Sequence, residues 1–205
     1  MPTVLPKARS RQRVPRVGPD DHGRRMRLAD FVRAKAAPGF NYELAHGVVE
    51  VTRIPGVRHH TSVRRLNKLI TAYDLVHPEV IASVGGGAEA KIEMWGRETE
   101  RHPDISIYLS DPPEGDDQPW DRWVPDIVVE VVSESSAKRD YGEKVADYLA
   151  AGVREYWIID PIKQCVVFFV RRADTWNVKR LGATGKWHST VLPDFVLDLA
   201  KVFQK

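Results

Sequence analysis

Two carboxylates and one lysine are spaced so that they could build a metal-assisted hydrolytic site. Asp104 precedes the apolar segment ISIYL, and Glu130 interrupts the apolar segment IVVEVV. If these segments are neighbouring strands, as sequential strands usually are, both carboxylates converge on one site of hard oxygen ligands. Such a site suits Mg²⁺ or Mn²⁺, which bind carboxylates, carbonyls, water and phosphate oxygens. A bound dication would also offset the several kcal/mol that an ionised carboxylate costs in a buried strand.

The lysine lies on the helix predicted after Glu130. The inward stripe of that helix repeats at i, i+3, i+4, i+7 and i+8 and comprises Tyr141, Lys144, Val145, Tyr148 and Leu149. Lys144 can therefore reach the carboxylates, where it would orient an attacking water or stabilise transition-state charge. Two simpler roles stay open. Glu130 can form an ordinary ion pair, and Lys144 can pair with Asp140 one turn away.

The histidines near this site are predicted to have other roles. Adjacent residues on a helix point in different directions, so His59 and His60 are expected to lie at the surface or to cap the helix rather than to bind one metal ion. His102, which precedes Pro103, is predicted to be a loop residue.

The elements that would position the site alternate between helical and strand patterns. Helices are predicted over residues 28–36, 58–76, 135–151 and 197–203. A hairpin is predicted over residues 40–52 around His46-Gly47, and two strands (80–84 and 88–94) around the glycine triplet 85–87. Further strands are predicted over residues 104–109, 127–132, 154–160, 164–171 and 176–181. This order predicts an α/β (α+β) fold in which helices flank a mixed sheet.

Charge is distributed unevenly along the 205 residues. Residues 1–27 contain eight Lys or Arg against two Asp, although the net charge of the chain is only +3. We therefore predict a basic, flexible N-terminal arm over residues 1–27, which is either a solvated tail or an aid to nucleic-acid binding. No apolar run is long enough to span a membrane, and Cys165 is the only cysteine. These features favour a cytoplasmic protein without membrane association.

The combination of Asp104, Glu130-Val131-Val132 and a helical Lys144 resembles the PD-(D/E)xK nuclease superfamily, which has the restriction-endonuclease-like fold. Members of that superfamily carry an Asp and then Glu-x-Lys on the next strand. Val132 stands at the position of the strand lysine here. Lys144 resembles a lysine that has moved to the following helix, as in some members.

A closer resemblance links residues 28–203 to the Uma-type endonuclease family. The matching positions are Tyr42, Glu43, Leu44, Gly47, His60, Pro103, Asp104, Pro125, Asp126, Glu130, Val131, Val132, Ser133, Asp140, Lys144, Tyr148, Gly152, Val153 and the run EYWIIDP at 155–161. The block 126–161 is the most specific part. By this resemblance Glu43 corresponds to an additional acidic residue of the nuclease core, which either binds metal or positions water.

The resemblance implies a metal-dependent phosphodiester hydrolase, a DNA endonuclease with a restriction-endonuclease-like mixed sheet over a single domain, 28–205. Asp104, Glu130 and the main-chain carbonyl of Val131 would hold Mg²⁺ or Mn²⁺, and Glu43 and Lys144 would complete the catalytic set. Such nucleases often act as homodimers. The alternative is a catalytically inactive nucleic-acid-binding or protein-interaction module on the same fold, because the strand lysine is absent.

Overall fold

The fold is given by a computed structural model that describes residues 14–204, and these residues form fourteen strands and five α-helices. The strands are β1 Arg16–Val17, β2 Lys35–Ala36, β3 Phe40–Ala45, β4 Val48–Arg53, β5 Ser83–Gly85, β6 Ile92–Met94, β7 Thr99–Arg101, β8 Ile105–Tyr108, β9 Ile127–Val131, β10 Glu155–Asp160, β11 Cys165–Arg172, β12 Thr175–Gly182, β13 Lys186–His188 and β14 Val196–Asp198. The helices are α1 Leu28–Phe31, α2 Val57–Asp74, α3 Ala137–Asp140, α4 Glu143–Ala151 and α5 Leu199–Phe203.

A mixed six-stranded sheet forms the centre of the molecule, with the strand order β12-β11-β10-β9-β8-β5. β9 and β10 are parallel and are joined through α3 and α4, whereas the other neighbouring pairs are antiparallel. The predicted α/β class with helices flanking a mixed sheet is confirmed. β8 and β9 are neighbours, as the sequence predicted for the strands next to Asp104 and Glu130.

Alternate residues of β9 face two different apolar clusters. Ile127, Val129 and Val131 pack in a cluster to which α2 and α5 contribute. Val128 packs on the opposite side with residues of α4, among them Tyr148. Side chains alternate along a strand, so Glu130 points to the α4 side. The period of the strand thus explains why the carboxylate faces the helix that carries the predicted lysine.

A second, antiparallel sheet has the strand order β4-β3-β7-β6. Its β3–β4 hairpin turns at His46 and Gly47, which both have positive φ angles, 48° and 76°. Two such residues are typical of the tight turns that match the twist of a hairpin. The predicted hairpin is therefore confirmed, and β3 carries Glu43 in its interior.

The basic N-terminal segment differs from its prediction where the structure describes it. Arg16–Val17 pairs with Lys35–Ala36 as a parallel ladder, and Val17 is buried in a cluster with Leu28 and Phe31. Residues 14–27 therefore pack on the domain, because an apolar side chain anchors them. The first half of the predicted arm, residues 1–13, lies outside the described residues. The predicted helix 28–36 ends at Phe31, because its last residues are those that pair with β1.

Two other local predictions were wrong in detail. The two strands predicted on either side of the glycine triplet are shorter than the predicted 80–84 and 88–94, since β5 covers Ser83–Gly85 and pairs with β8, and β6 covers Ile92–Met94 and pairs with β7. The predicted helix 135–151 is split into α3 and α4 at Tyr141–Gly142. A Cβ atom on Gly142 would lie 2.7 Å from the Lys138 carbonyl oxygen, so the sharp break depends on glycine.

No helix within residues 14–204 combines the length and the apolar character that crossing a membrane requires.

Candidate metal-dependent active site

The two predicted carboxylates meet where β8 begins and β9 ends. Ile105 pairs with Val129, so the antiparallel register continues to place Asp104 opposite Glu130. The Val131 N–H donates a 2.7 Å hydrogen bond to Oδ2 of Asp104, which fixes this carboxylate against β9. The sequence prediction that Asp104 and Glu130 converge therefore describes the geometry correctly.

Glu130 is buried, and its hydrogen bonds come from α4. Oε1 accepts from the Lys144 ammonium at 2.8 Å and from the Tyr148 hydroxyl. Burial raises the pKa of Glu130 well above its usual value; Lys144 opposes this rise, and the charges of Asp140 and Asp104 add to it. The ionised form of Glu130 is therefore destabilised, and it would be stabilised by additional positive charge nearby, or relieved by protonation.

Lys144 is shared among several carboxylates. Its Nζ atom lies 2.8 Å from Glu130 Oε1, 3.2 Å from Glu43 Oε1 and 3.7 Å from Asp140 Oδ1. Burial disfavours the charged form, but Glu130 and Glu43 outweigh burial and raise the pKa of Lys144 above its usual range. The side chain is consequently a fixed cation at neutral pH. The simpler i, i+4 pairing with Asp140 is present, but it is the longest of the three contacts.

Glu43 reaches the same cluster from β3. Oε1 accepts a 3.0 Å hydrogen bond from the His102 N–H, and Oε2 lies 3.3 Å from Nη1 of Arg101. Burial opposes ionisation, yet Lys144 and Arg101 prevail and lower the pKa of Glu43 to about 2. Glu43 is thus ionised at neutral pH and neutralises part of the charge of Lys144.

Arg101 was not identified from the sequence. Its guanidinium is fully buried and contacts Glu50 at 2.6 Å, Asp147 at 2.9 Å and Glu43 at 3.3 Å. These partners come from β4, α4 and β3, so Arg101 joins the second sheet to the helix that carries Lys144. No spacing in the sequence could reveal it, because its hydrogen-bond partners are between 46 and 58 positions away along the chain.

Asp140 carries an unpartnered oxygen in the same place. The residue is fully buried, and Oδ2 accepts a 2.6 Å hydrogen bond from Ser136 Oγ. Oδ1 has no hydrogen-bond donor among residues 14–204, and the nearest cation is Lys144. Burial raises the pKa of Asp140, against the influence of Lys144 and Ser136. This arrangement leaves a buried acceptor within reach of the ammonium.

The histidine near the carboxylates is His59, whereas the family resemblance pointed to His60. His59 Nε2 lies 2.9 Å from Asp104 Oδ2, and His60 is exposed. The surface or capping role predicted for His59 is therefore wrong, because the first turn of α2 points this ring into the site. His102 is more than a loop residue as well, since its Nε2 atom lies 2.8 Å from Glu100 Oε1.

An open cleft of about 370 Å³ gives access to these groups. Its lining includes Glu43, His59, Asp104, Glu130 and Val131, together with Ser133 and Arg139 on the loop and helix that follow β9. Lys144 is buried and does not line the cleft, but it contacts Glu130, which does. The predicted catalytic residues Glu43, Asp104, Glu130 and Lys144 are thus brought together.

The donor set can accept a hard dication as two carboxylates and a carbonyl. Both contacts of Asp104 end on Oδ2 and both of Glu130 end on Oε1, so over residues 14–204 the second oxygen of each receives no hydrogen bond. The described part of the chain contains no group of three His, Cys, Asp or Glu able to hold a metal ion. Two carboxylates, each with one oxygen free of hydrogen bonds in that part of the chain, nevertheless suit Mg²⁺, which keeps several waters and binds through one or two carboxylates.

Comparisons with known proteins agree with this geometry. The family described as "Uma2: Putative restriction endonuclease" matches residues 28–200. The chain belongs to the Uma2 family. A solved structure described as a putative nuclease belonging to DUF820, from Anabaena variabilis, superposes with a TM-score of 0.70 and 16% identity, over 87% of this Uma2 chain and 97% of that one. No curated protein matches. The family and the fold support a nuclease, and the resemblance stated from the sequence is confirmed.

Proposed function

We propose that this Uma2 chain is a Mg²⁺- or Mn²⁺-dependent DNA endonuclease whose metal is held by Asp104, Glu130 and the Val131 carbonyl. The observation that supports it most strongly is the convergence of Asp104 and Glu130 on one open cleft, with Lys144 in contact with Glu130. A bound dication would lower the pKa of a coordinated water and neutralise charge on the scissile phosphate. The other contributions come from side chains of the chain itself.

Lys144 acts as an electrostatic group rather than as a base. Its raised pKa keeps the ammonium protonated, so it cannot accept a proton from water near neutral pH. From its place beside Glu130 it donates to the carboxylate and adds positive charge where the transition state becomes more negative. This is the role proposed for a lysine that has moved from the strand to the helix.

Glu43 positions Lys144 in this proposal. Both of its oxygens already have cationic or N–H partners, namely Lys144, the His102 amide and Arg101. A carboxylate so occupied is a weaker metal ligand than Asp104, whose Oδ1 is available. Asp140, with its unpartnered Oδ1, offers the ammonium a second anchor if Glu130 turns towards a metal ion.

Cleavage of plasmid and single-stranded DNA with Mg²⁺ or Mn²⁺ tests the proposal. Glu130→Gln and Lys144→Met should each lose cleavage while circular dichroism shows a folded protein. Glu114→Gln and Lys138→Met are the matched controls, because both residues are exposed and neither lines the cleft or the concavities beside it, and both variants should cut like the wild type. Activity that survives in Glu130→Gln would identify a contaminating nuclease and contradict the mechanism.

Calorimetric titration with Mn²⁺ separates the proposal from the alternative of a catalytically inactive module. A metal-dependent enzyme should bind Mn²⁺ and lose that binding in Glu130→Gln, whereas a nucleic-acid-binding or protein-interaction module has no reason to bind it. The homodimer implied by the family is also a proposal. Sedimentation that gives only monomer at micromolar concentration would contradict it.

A further inference from the structure

A groove lined by arginines leaves the active-site cleft and runs along α2. The cleft and the next concavity share Arg53, Pro55, His59, Ser133 and Ser135 in their linings, so the two are continuous. The second concavity adds Arg58, which also lines a third one beside Arg65. One connected path, here called the arginine groove, thus leads from Asp104 past Arg53, Arg58 and Arg65.

Within residues 14–204 the arginines of the groove have no acidic partners. None of the described carboxylates forms an ion pair with Arg53, Arg58 or Arg65, and the side chain of Arg65 donates only to the Val202 carbonyl. α2 contains no Asp or Glu before Asp74. Glu134 is the one acidic residue in the linings of these concavities beyond the cleft itself. Three arginines without carboxylate partners favour the binding of a polyanion along the groove.

The same groove exposes apolar side chains. Ile54 is 62% exposed, Val57 is 82% exposed and Ile162 is 47% exposed, and all three line its second concavity. Duplex DNA keeps the faces of its bases stacked inside, whereas an unpaired strand offers those faces for apolar contact as well as its phosphates. The mixture of arginine and aliphatic surface therefore suits a single strand better than a duplex.

We propose that the arginine groove binds the unpaired DNA strand that extends from the cleft, with Arg53, Arg58 and Arg65 contacting its phosphates. The proposal rests on the proposed nuclease function for its direction, since the strand enters where cleavage is placed. Beyond that function, the proposal names the substrate class, which is single-stranded DNA or a single-stranded tail, and the surface along which the strand lies.

Fluorescence anisotropy of a labelled single-stranded oligonucleotide, with EDTA present so that nothing is cut, tests the groove in the full chain. Arg53→Gln/Arg58→Gln should reduce the slope of log K against log salt by about 1.4, since each phosphate contact on a single strand contributes about 0.7. This corresponds to about 25-fold weaker binding at 0.1 M salt and to little difference near 1 M. Arg65 is left intact because it also contacts the backbone of α5.

The matched control is Arg172→Gln/Lys179→Gln, which removes the same charge from exposed positions at the β11–β12 edge of the sheet. It should bind the oligonucleotide like the wild type. An unchanged salt slope in Arg53→Gln/Arg58→Gln, or an equal loss in the control, would overturn the proposal. The proposal would also be overturned if a duplex bound as tightly as the single strand and depended equally on the two arginines. Competition by poly-glutamate as effective as competition by DNA would overturn it as well, since it would indicate that the groove binds an acidic protein.

Cleavage assays on the same proteins distinguish this proposal from the nuclease function. Wild-type protein that binds through the arginines but cuts nothing with Mg²⁺ or Mn²⁺ would leave the groove supported and contradict the nuclease. If the wild-type protein cuts but Arg53→Gln/Arg58→Gln keeps the wild-type salt slope, the nuclease function is supported and the groove proposal is contradicted. Val57→Ser provides an independent check, because it should weaken binding of the single strand more than binding of a duplex.

Discussion

Removal of Arg101 tests how the active site is held together. Its guanidinium is fully buried and donates to Asp147 from two nitrogens, at 3.0 and 2.9 Å, and to Glu50 at 2.6 Å. A further contact of 3.3 Å reaches Glu43. Burial disfavours the charge, but Glu43 and Glu50 outweigh it and raise the pKa of Arg101 above its usual range. The residue is a permanent cation on which three carboxylates from three elements depend.

Arg101→Met keeps much of the side-chain volume and removes the charge. Asp147, which is fully buried, would then keep, among residues 14–204, only its contacts with half-exposed Arg97 and exposed His46. Breaking a buried ion pair by removing one partner costs about 3–5 kcal/mol. In a chain of this length each kcal/mol lowers Tm by about 2–4 °C, so Tm should fall by roughly 6–20 °C.

Arg97→Met is the matched control, because Arg97 contacts the same carboxylate of Asp147, at 3.1 Å, but is 38% exposed. An exposed pair contributes about 0–1 kcal/mol, so this variant should remain close to the wild type. Urea unfolding, followed by tryptophan fluorescence, measures the free energy of unfolding of both variants. A double-mutant cycle with Asp147→Asn isolates the interaction energy between Arg101 and Asp147. Equal losses in the two arginine variants, or a loss below about 1 kcal/mol in Arg101→Met, would refute the reasoning.

Three further predictions concern other parts of the structure. The pKa of Glu43 is lowered to about 2 from its usual 4.5. Its ionised form therefore adds about 3 kcal/mol to the free energy of unfolding at pH 7. This contribution is fully present above the pKa of the unfolded state and is lost as the pH falls from about 5 to 2. Urea unfolding at stepped pH should show a flatter curve over that range for Glu43→Gln, and an unchanged curve would contradict the assignment. A Cβ atom on Gly86 would overlap the Asp104 carbonyl oxygen, so Gly86→Ala should reduce Mg²⁺-dependent cleavage by about 100-fold, whereas Gly96→Ala, which meets nothing within 4 Å, should not. Glu155 is fully buried and accepts hydrogen bonds from two indole N–H groups and two hydroxyls, so Glu155→Ala should lower the free energy of unfolding by at least about 3 kcal/mol, and a loss under about 1 kcal/mol would count against this role.

The elements that the sequence predicted well are those whose apolar period is long. The helix predicted over 58–76 is α2, and the strand predicted over 127–132 is β9, because a regular pattern of burial continues through each. Short elements depended on partners that are distant along the chain. β7, with three buried residues TER, reads as a polar loop until its neighbours β3 and β6 are known. The sequence could not show what constrains the glycine triplet, because a Cβ atom on Gly86 would meet the carbonyl oxygen of Asp104, which is distant along the chain.

The residues of the candidate site likewise fall into those that the sequence could predict and those that it could not. Asp104, Glu130 and Lys144 could be found because strand alternation and helix period act locally. The structure brings Lys144 to 2.8 Å from Glu130 and holds Asp104 by the amide of the next residue, Val131. Arg101 and His59 could not, because a polar residue on a strand or at a helix start has no periodic signature of function. Their importance follows only from which carboxylates the tertiary fold places beside them.

The position of Lys144 on a helix makes the site depend on Arg101 in a way that a strand lysine would not. Val132, which stands where the strand lysine would be, is buried in the apolar cluster with Tyr148, and its backbone N–H pairs with β10. The ammonium instead comes from α4, and it stays 2.8 Å from Glu130 only while that helix is docked. The buried link from Arg101 to Asp147 docks α4 on the second sheet, one helical turn from Lys144. Loss of Arg101 should therefore displace the ammonium from Glu130 even in the folded fraction, whereas a lysine carried by β9 would be held by the sheet itself.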